Sequence, residues 1–128
     1  MEDDRDKLIV ILAGYTQEMK AFINTNPGLG SRFNRYIEFK DYSPDELESI
    51  YKLLCSKLDY KLTDDAEKKV REVVTSAFAT RDKSFGNGRF VRNIFEKTTE
   101  RQANRIASIP SLTKEILTTI TDDDIPKE

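Results

Sequence analysis

Histidine is absent from this sequence of 128 residues. That absence removes Ser-His-Asp and Cys-His catalysis, and most transition-metal sites, in one step. Cysteine occurs once, as Cys55, which excludes an internal disulfide and a cysteine-based zinc site. No apolar run approaches the roughly 20 residues that a transmembrane helix needs. The opening Met1-Glu2-Asp3-Asp4-Arg5 is acidic and leads into only a short apolar run, unlike a secretory leader. Charge of one sign is not in excess either. Lys and Arg total 21 against 23 Asp and Glu, a formal charge of −2, which does not favour nucleic-acid binding. No internal repeat or low-complexity segment is visible. With 38% hydrophobic and 34% charged residues, the expectation is a soluble, cytoplasmic, helix-rich domain with a modest core.

What is present divides into two parts. Lys7 to Gly14 is a continuous apolar run rich in β-branched residues and closed by glycine, a pattern that suits a strand buried on both faces. Thr16 to Thr25 follows as a short helix, with Met19, Phe22 and Ile23 at helical spacing and Thr16 as a possible cap. Asn26-Pro27-Gly28-Leu29-Gly30 breaks regular structure, and Tyr36 to Phe39 reads as a second strand. The first part, residues 1–42, is therefore βαβ-like.

From Ser43 the pattern turns helical. Ser43-Pro44-Asp45-Glu46 combines a capping box with proline at the first helical position. Leu47, Ile50, Leu54 and Leu58 then line one face. Thr63-Asp64-Asp65 starts a second helix, whose stripe is Ala66, Val70, Val73, Val74, Ala77 and Phe78. After the turn Phe85-Gly86-Asn87-Gly88, a third helix is expected from about Arg89 to Ala107, with Val91, Ile94 and Phe95 inward. A fourth is expected over Thr113 to Ile120, and Thr121 to Ile125 reads as a final turn. Cys55 sits near an apolar stripe and belongs to the core. Asp122-Asp123-Asp124 reads as helix-start carboxylates, because an EF-hand's glycine and distal glutamate are missing. Arg101 and Arg105 form a basic ridge that faces solvent or a neighbouring subunit. Residues 43–128 thus form a four-helix unit, and the fold class is mainly α.

Three stretches carry a resemblance when taken in register: Met1–Leu8 running into Ile9–Tyr15, Asn26–Arg35, and Phe85–Asn93. Together they resemble the C-terminal half of AAA+ ATPases of the SpoVK/CbbX group, a pattern largely shared by EccA-like ATPases of type VII secretion. The resemblance implies a remnant of the α/β ATPase core over 1–42 and a helical AAA+ lid over 43–128. It implies a parent that hydrolyses ATP with Mg²⁺ in a ring, a hexamer of identical subunits, and remodels a protein partner. The sequence departs from the family in one respect. It has no G-x-x-x-x-G-K-[ST] loop and no strand ending in paired acids. The expectation is therefore a fragment, inactive alone, in which Met1 is an internal methionine.

The resemblance also implies site residues. Arg32 and Arg35 match the trans-acting arginine finger, Arg32 first and Arg35 second; on the residues alone, pairing with surface carboxylates is the simpler reading. Arg89 matches sensor 2, which reaches nucleotide phosphate, and Arg92 follows on the same face; an ordinary charged helix face beside Glu96 and Glu100 is the other reading. Tyr15 aligns with sensor 1, and also reads as a packing residue at a strand–helix junction. No metal-ligating residue is expected. The rival from another class is a stand-alone helical module that binds protein or nucleic acid through Arg89, Arg92, Arg101 and Arg105.

Overall fold

The computed structural model describes residues 8–127, so the Met1–Lys7 part of the first motif lies outside the described residues. The chain divides after Lys40 into two compact units. The first contains α1, Thr16–Thr25, and α2, Leu29–Arg32. Tyr15, not Thr16, takes the cap position of α1, and no side chain bonds to the free backbone donors there. The α1 helix stops where Asn26 Nδ2 donates to the Phe22 carbonyl at 2.7 Å. Gly28 then adopts a φ of 93°, a conformation that favours glycine, and starts the single turn of α2.

Neither strand expected in this unit forms a ladder. Residues 8–13 and 36–39 are irregular chain, with Ile9 90%, Ile11 84% and Phe39 91% exposed. Their apolar sequence suits a buried strand. A strand, however, is held by ladder hydrogen bonds to a neighbour, and the described residues place none beside either segment.

The second unit is built from α3 (Pro44–Lys57), α4 (Asp64–Ala79), α5 (Gly88–Ile106) and the short α6 (Lys114–Thr118). Both capping groups of the α3 box are engaged: Ser43 Oγ accepts from Glu46 N at 3.2 Å, and Glu46 Oε1 accepts from Ser43 N at 3.0 Å. Thr63 Oγ1 caps α4 through Ala66 N at 3.1 Å. Each such cap contributes about 1 kcal/mol. Asp59, with φ 59°, ends α3, and Tyr60 N returns to the Cys55 carbonyl at 2.9 Å.

The α3 helix packs against both α4 and α5. Leu47, Tyr51 and Cys55 recur every four residues and meet Val70, Val73 and Val74 of α4 and Val91, Ile94 and Phe95 of α5 in one buried cluster. The Tyr51 hydroxyl is wholly buried and donates to Thr98 Oγ1 at 2.8 Å, which in turn donates to the Ile94 carbonyl at 2.7 Å. Burial raises the Tyr51 pKa above its ordinary value.

The C-terminal segment closes this core. Lys61–Leu62 (β1) and Thr119–Ile120 (β2) pair in parallel, followed by a 3-10 turn over Asp122–Asp124. Two-residue strands lie below any periodicity, which is why they are invisible in the sequence. They also shorten the expected fourth helix, which stops at Thr118 where β2 begins. The basic ridge is corrected at Arg105. Arg101 Nη2 donates to the Asp123 carbonyl at 2.8 Å. Arg105 Nε and Nη2 grip Asp124 at 2.8 and 3.0 Å. Arg105 turns toward the chain's own C-terminal segment because Asp124, 1% exposed, needs a counter-charge, while Arg101 stays exposed as expected and touches that segment only through the Asp123 carbonyl. Gln102 Nε2 completes the attachment through the carbonyls of Leu117 and Thr119 at 2.9 and 3.2 Å.

Candidate functional site

The candidate residues fall into two groups, one in each unit. In the second unit, Arg89 and Arg92 stand on the first two turns of α5. The inward residues of those turns, Val91, Ile94 and Phe95, are buried and fix the helix, so the two arginines lie on its exposed side. Among the described residues, neither guanidinium has a hydrogen-bond or ion-pair partner. Glu96 and Glu100 do not engage them, so the charged-face pairing is not formed. No side chain caps α5. The start of a helix carries partial positive charge, and two unpaired guanidiniums beside it make the region suited to phosphate or carboxylate oxygens.

The loop before α5 is more ordered than its glycines suggest. Asn87 has φ 52° and ψ −114°, an uncommon conformation for a residue with a Cβ. Its Oδ1 accepts from Tyr42 N at 2.8 Å, and its Nδ2 donates to Asp41 Oδ1 at 2.9 Å. The other Asp41 oxygen accepts from Arg81 Nε at 2.9 Å. The Asn87 amide, with the Arg81 guanidinium second, lowers the Asp41 pKa. Arg81 lies 3.7 Å over the Phe78 ring. Sequence reasoning missed Asp41, Asn87 and Arg81 as partners. The only signal was the asparagine between two glycines, and its partners lie 40 or more residues away in the chain.

In the first unit, Arg32 ends α2, and its Nη1 reaches back to the Gly28 carbonyl at 3.5 Å. Arg35 follows in exposed, irregular chain. Tyr15 is 60% exposed, so packing at the α1 junction does not account for its ring. Among the described residues, no group of three or more Asp, Glu or Cys could hold a metal ion. The candidate residues named above are arginines and a tyrosine, whose guanidiniums suit anionic oxygens and offer no carboxylate to Mg²⁺. No helix among the described residues is long and apolar enough to cross a membrane.

Comparison with known proteins agrees with this architecture. Residues 43–128 match the AAA lid domain. The chain belongs to that family, as the lid region of SpoVK- and CbbX-like AAA+ ATPases. It is 41% identical over 126 residues to stage V sporulation protein K of Bacillus subtilis, a match covering 98% of this chain and 39% of that protein. It is 40% identical over 129 residues to the chloroplastic ribulose bisphosphate carboxylase/oxygenase activase of Cyanidioschyzon merolae, covering 99% and 43%. It is 39% identical over 127 residues to protein CbbX of Cereibacter sphaeroides, covering 98% and 40%. The chain thus spans about two-fifths of the length of these relatives.

Proposed function

We propose that this chain supplies the lid and the adjoining end of the core, divided at residues 42 and 43, to a cytoplasmic AAA+ ATPase that works as a hexameric ring. Arg89, with Arg92 one turn on, reaches from α5 to the phosphates of ATP as sensor 2. Arg32 first, and Arg35 second, serves as a finger toward the nucleotide of the neighbouring subunit. Tyr15 takes the sensor 1 position. ATP is the substrate, Mg²⁺ is held by residues that this sequence does not contain, and the work of the ring is the remodelling of a protein partner.

The observation that carries the reading is the pair of unpaired, exposed arginines at an uncapped helix start, on a helix whose other face is locked in the core. The rival binding-module reading is weakened by the same structure, since two of its four ridge arginines, Arg101 and Arg105, are bound to the C-terminal segment. The test is Arg89→Ala in a protein that joins this chain to a phosphate-binding loop. Loss of one charged hydrogen bond to phosphate removes about 1.5–3 kcal/mol, so ATP affinity or turnover should fall by at least tenfold. Unchanged affinity and turnover would sink the sensor assignment.

A further inference from the structure

The Asp41–Asn87–Arg81 cluster has a specificity that an ordinary surface turn does not need. Tyr42 N can only donate, and the Asp41 carboxylate can only accept. They approach opposite ends of the Asn87 amide, at 2.8 and 2.9 Å. Reversing that amide would set donor against donor and acceptor against acceptor. An aspartate at 87 would face the Asp41 carboxylate with like charge. The position therefore selects asparagine in one orientation. The backbone at Asn87 holds an uncommon conformation at the same point, φ 52°, and such backbone is retained where surrounding contacts over-determine it. Arg81 supplies the third arm. Its Nε holds the second Asp41 oxygen at 2.9 Å, and its Nη1 is anchored to the Phe78 carbonyl at 2.8 Å. Three segments converge: the entry into the second unit just after the division at Lys40, the end of α4, and the residue before α5.

We propose that Asn87 is a positioning residue, which ties the entry segment Asp41–Tyr42 to the start of α5 and so sets where Arg89 and Arg92 point. A displacement of the chain at residues 41–42 is passed to the first turn of α5 through two hydrogen bonds rather than lost in a flexible glycine turn. The value of this coupling for ATP rests on the proposed sensor role of Arg89. The coupling itself does not, and it is tested without nucleotide.

The experiment is amide exchange and chemical-shift mapping by NMR on the 128-residue chain, with each substitution read at the far side of the cluster. Asn87→Gly keeps a residue at ease with positive φ and deletes only the side chain. It should speed exchange of the Tyr42 amide by about fivefold or more, the loss of one hydrogen bond, while the Val70 and Ile94 amides keep their protection. Asp41→Ala, 46 residues from Asn87, should shift the amide resonances of Arg89 and Arg92, and the conservative Asp41→Asn should shift them less. In the double variant the effects should not add, because both substitutions break one unit. Tyr42 exchange within twofold of the unsubstituted chain in Asn87→Gly overturns the proposal, as do Arg89 and Arg92 resonances indifferent to Asp41→Ala. Arg89→Ala, measured separately for ATP turnover, decides the sensor reading whichever way the NMR result falls.

Discussion

Removing Arg105 should destabilise the lid more than neutralising its partner. Asp124 is 1% exposed, and its two oxygens receive Arg105 Nε and Nη2 at 2.8 and 3.0 Å. Arg105→Ala leaves that carboxylate with only the Thr121 backbone and hydroxyl donors, at 2.9 and 3.3 Å. Stranding one member of a fully buried pair costs about 3–5 kcal/mol. The Arg105 side chain is 31% exposed, and water can reach part of the gap, so about 2–4 kcal/mol is expected by the same reasoning. Asp124→Asn keeps an acceptor for Thr121 N and leaves behind a guanidinium that water can solvate, at a cost of about 1–2 kcal/mol. Urea unfolding followed by far-UV circular dichroism measures both. With slopes of about 1–3 kcal/mol per molar urea, the Arg105→Ala midpoint should fall by about 1 M or more. The reasoning fails if Arg105→Ala lies within about 0.5 kcal/mol of the unsubstituted chain, or if Asp124→Asn is the costlier change.

Other outcomes follow from the core and from the sequence. Thr98→Val should cost about 1–3 kcal/mol by stranding the buried Tyr51 hydroxyl, and Tyr51→Phe should cost less, since Thr98 keeps its bond to Ile94; thermal unfolding of the two variants ranks them. Burial pushes the Cys55 thiol up to about 12 from 9.0, so alkylation at pH 8 should be about a hundredfold or more slower in the folded chain than in urea, and equal rates would contradict the burial. Because the folded thiol holds its proton more tightly than the unfolded one, that contribution to stability is complete below pH 9 and is lost as pH rises toward 12. The 128-residue chain alone should not bind ATP, for lack of a phosphate cradle; a low-micromolar dissociation constant by titration calorimetry would refute this.

What could be read beforehand depended on how far apart the partners are in the chain. The Ser43–Glu46 box involves residues three apart and forms as expected, and α4 begins at Asp64 where Thr63-Asp64-Asp65 marked a helix start. The α1 helix spans the expected Thr16–Thr25, although its cap does not. The stripes of α4 and α5 follow helical periodicity and Cys55 is in the core, whereas the α3 stripe holds at Leu47 but takes in Tyr51 and loses Leu58, which caps the helix and is 61% exposed. The apolar run after Lys7 carries strand composition, but composition cannot supply a neighbouring strand. Arg105 reads as a surface ridge because nothing local reveals that Asp124 will be buried beside it. Arg89 and Arg92 lie on the exposed side of α5, as their spacing of three places them, while their role toward nucleotide is a proposal. The Asn87 cluster was not, since its hydrogen bonds join residues 45 and 46 apart.

The proposed action of Arg32 on ATP across the subunits of a ring is tested most directly by subunit mixing. In a full-length parent, one set of subunits carries Arg32→Ala and another carries a disabled phosphate-binding loop. Each set alone should hydrolyse ATP poorly, because a finger guanidinium is worth on the order of 10³-fold in rate and stabilises the transition state more than bound ATP. Mixed rings can place an intact loop against an intact Arg32, so activity should return, while Arg32→Lys, lacking the planar fork, should not substitute for arginine. If mixed rings assemble and no activity returns, Arg32 does not act across the boundary, and the claim is contradicted.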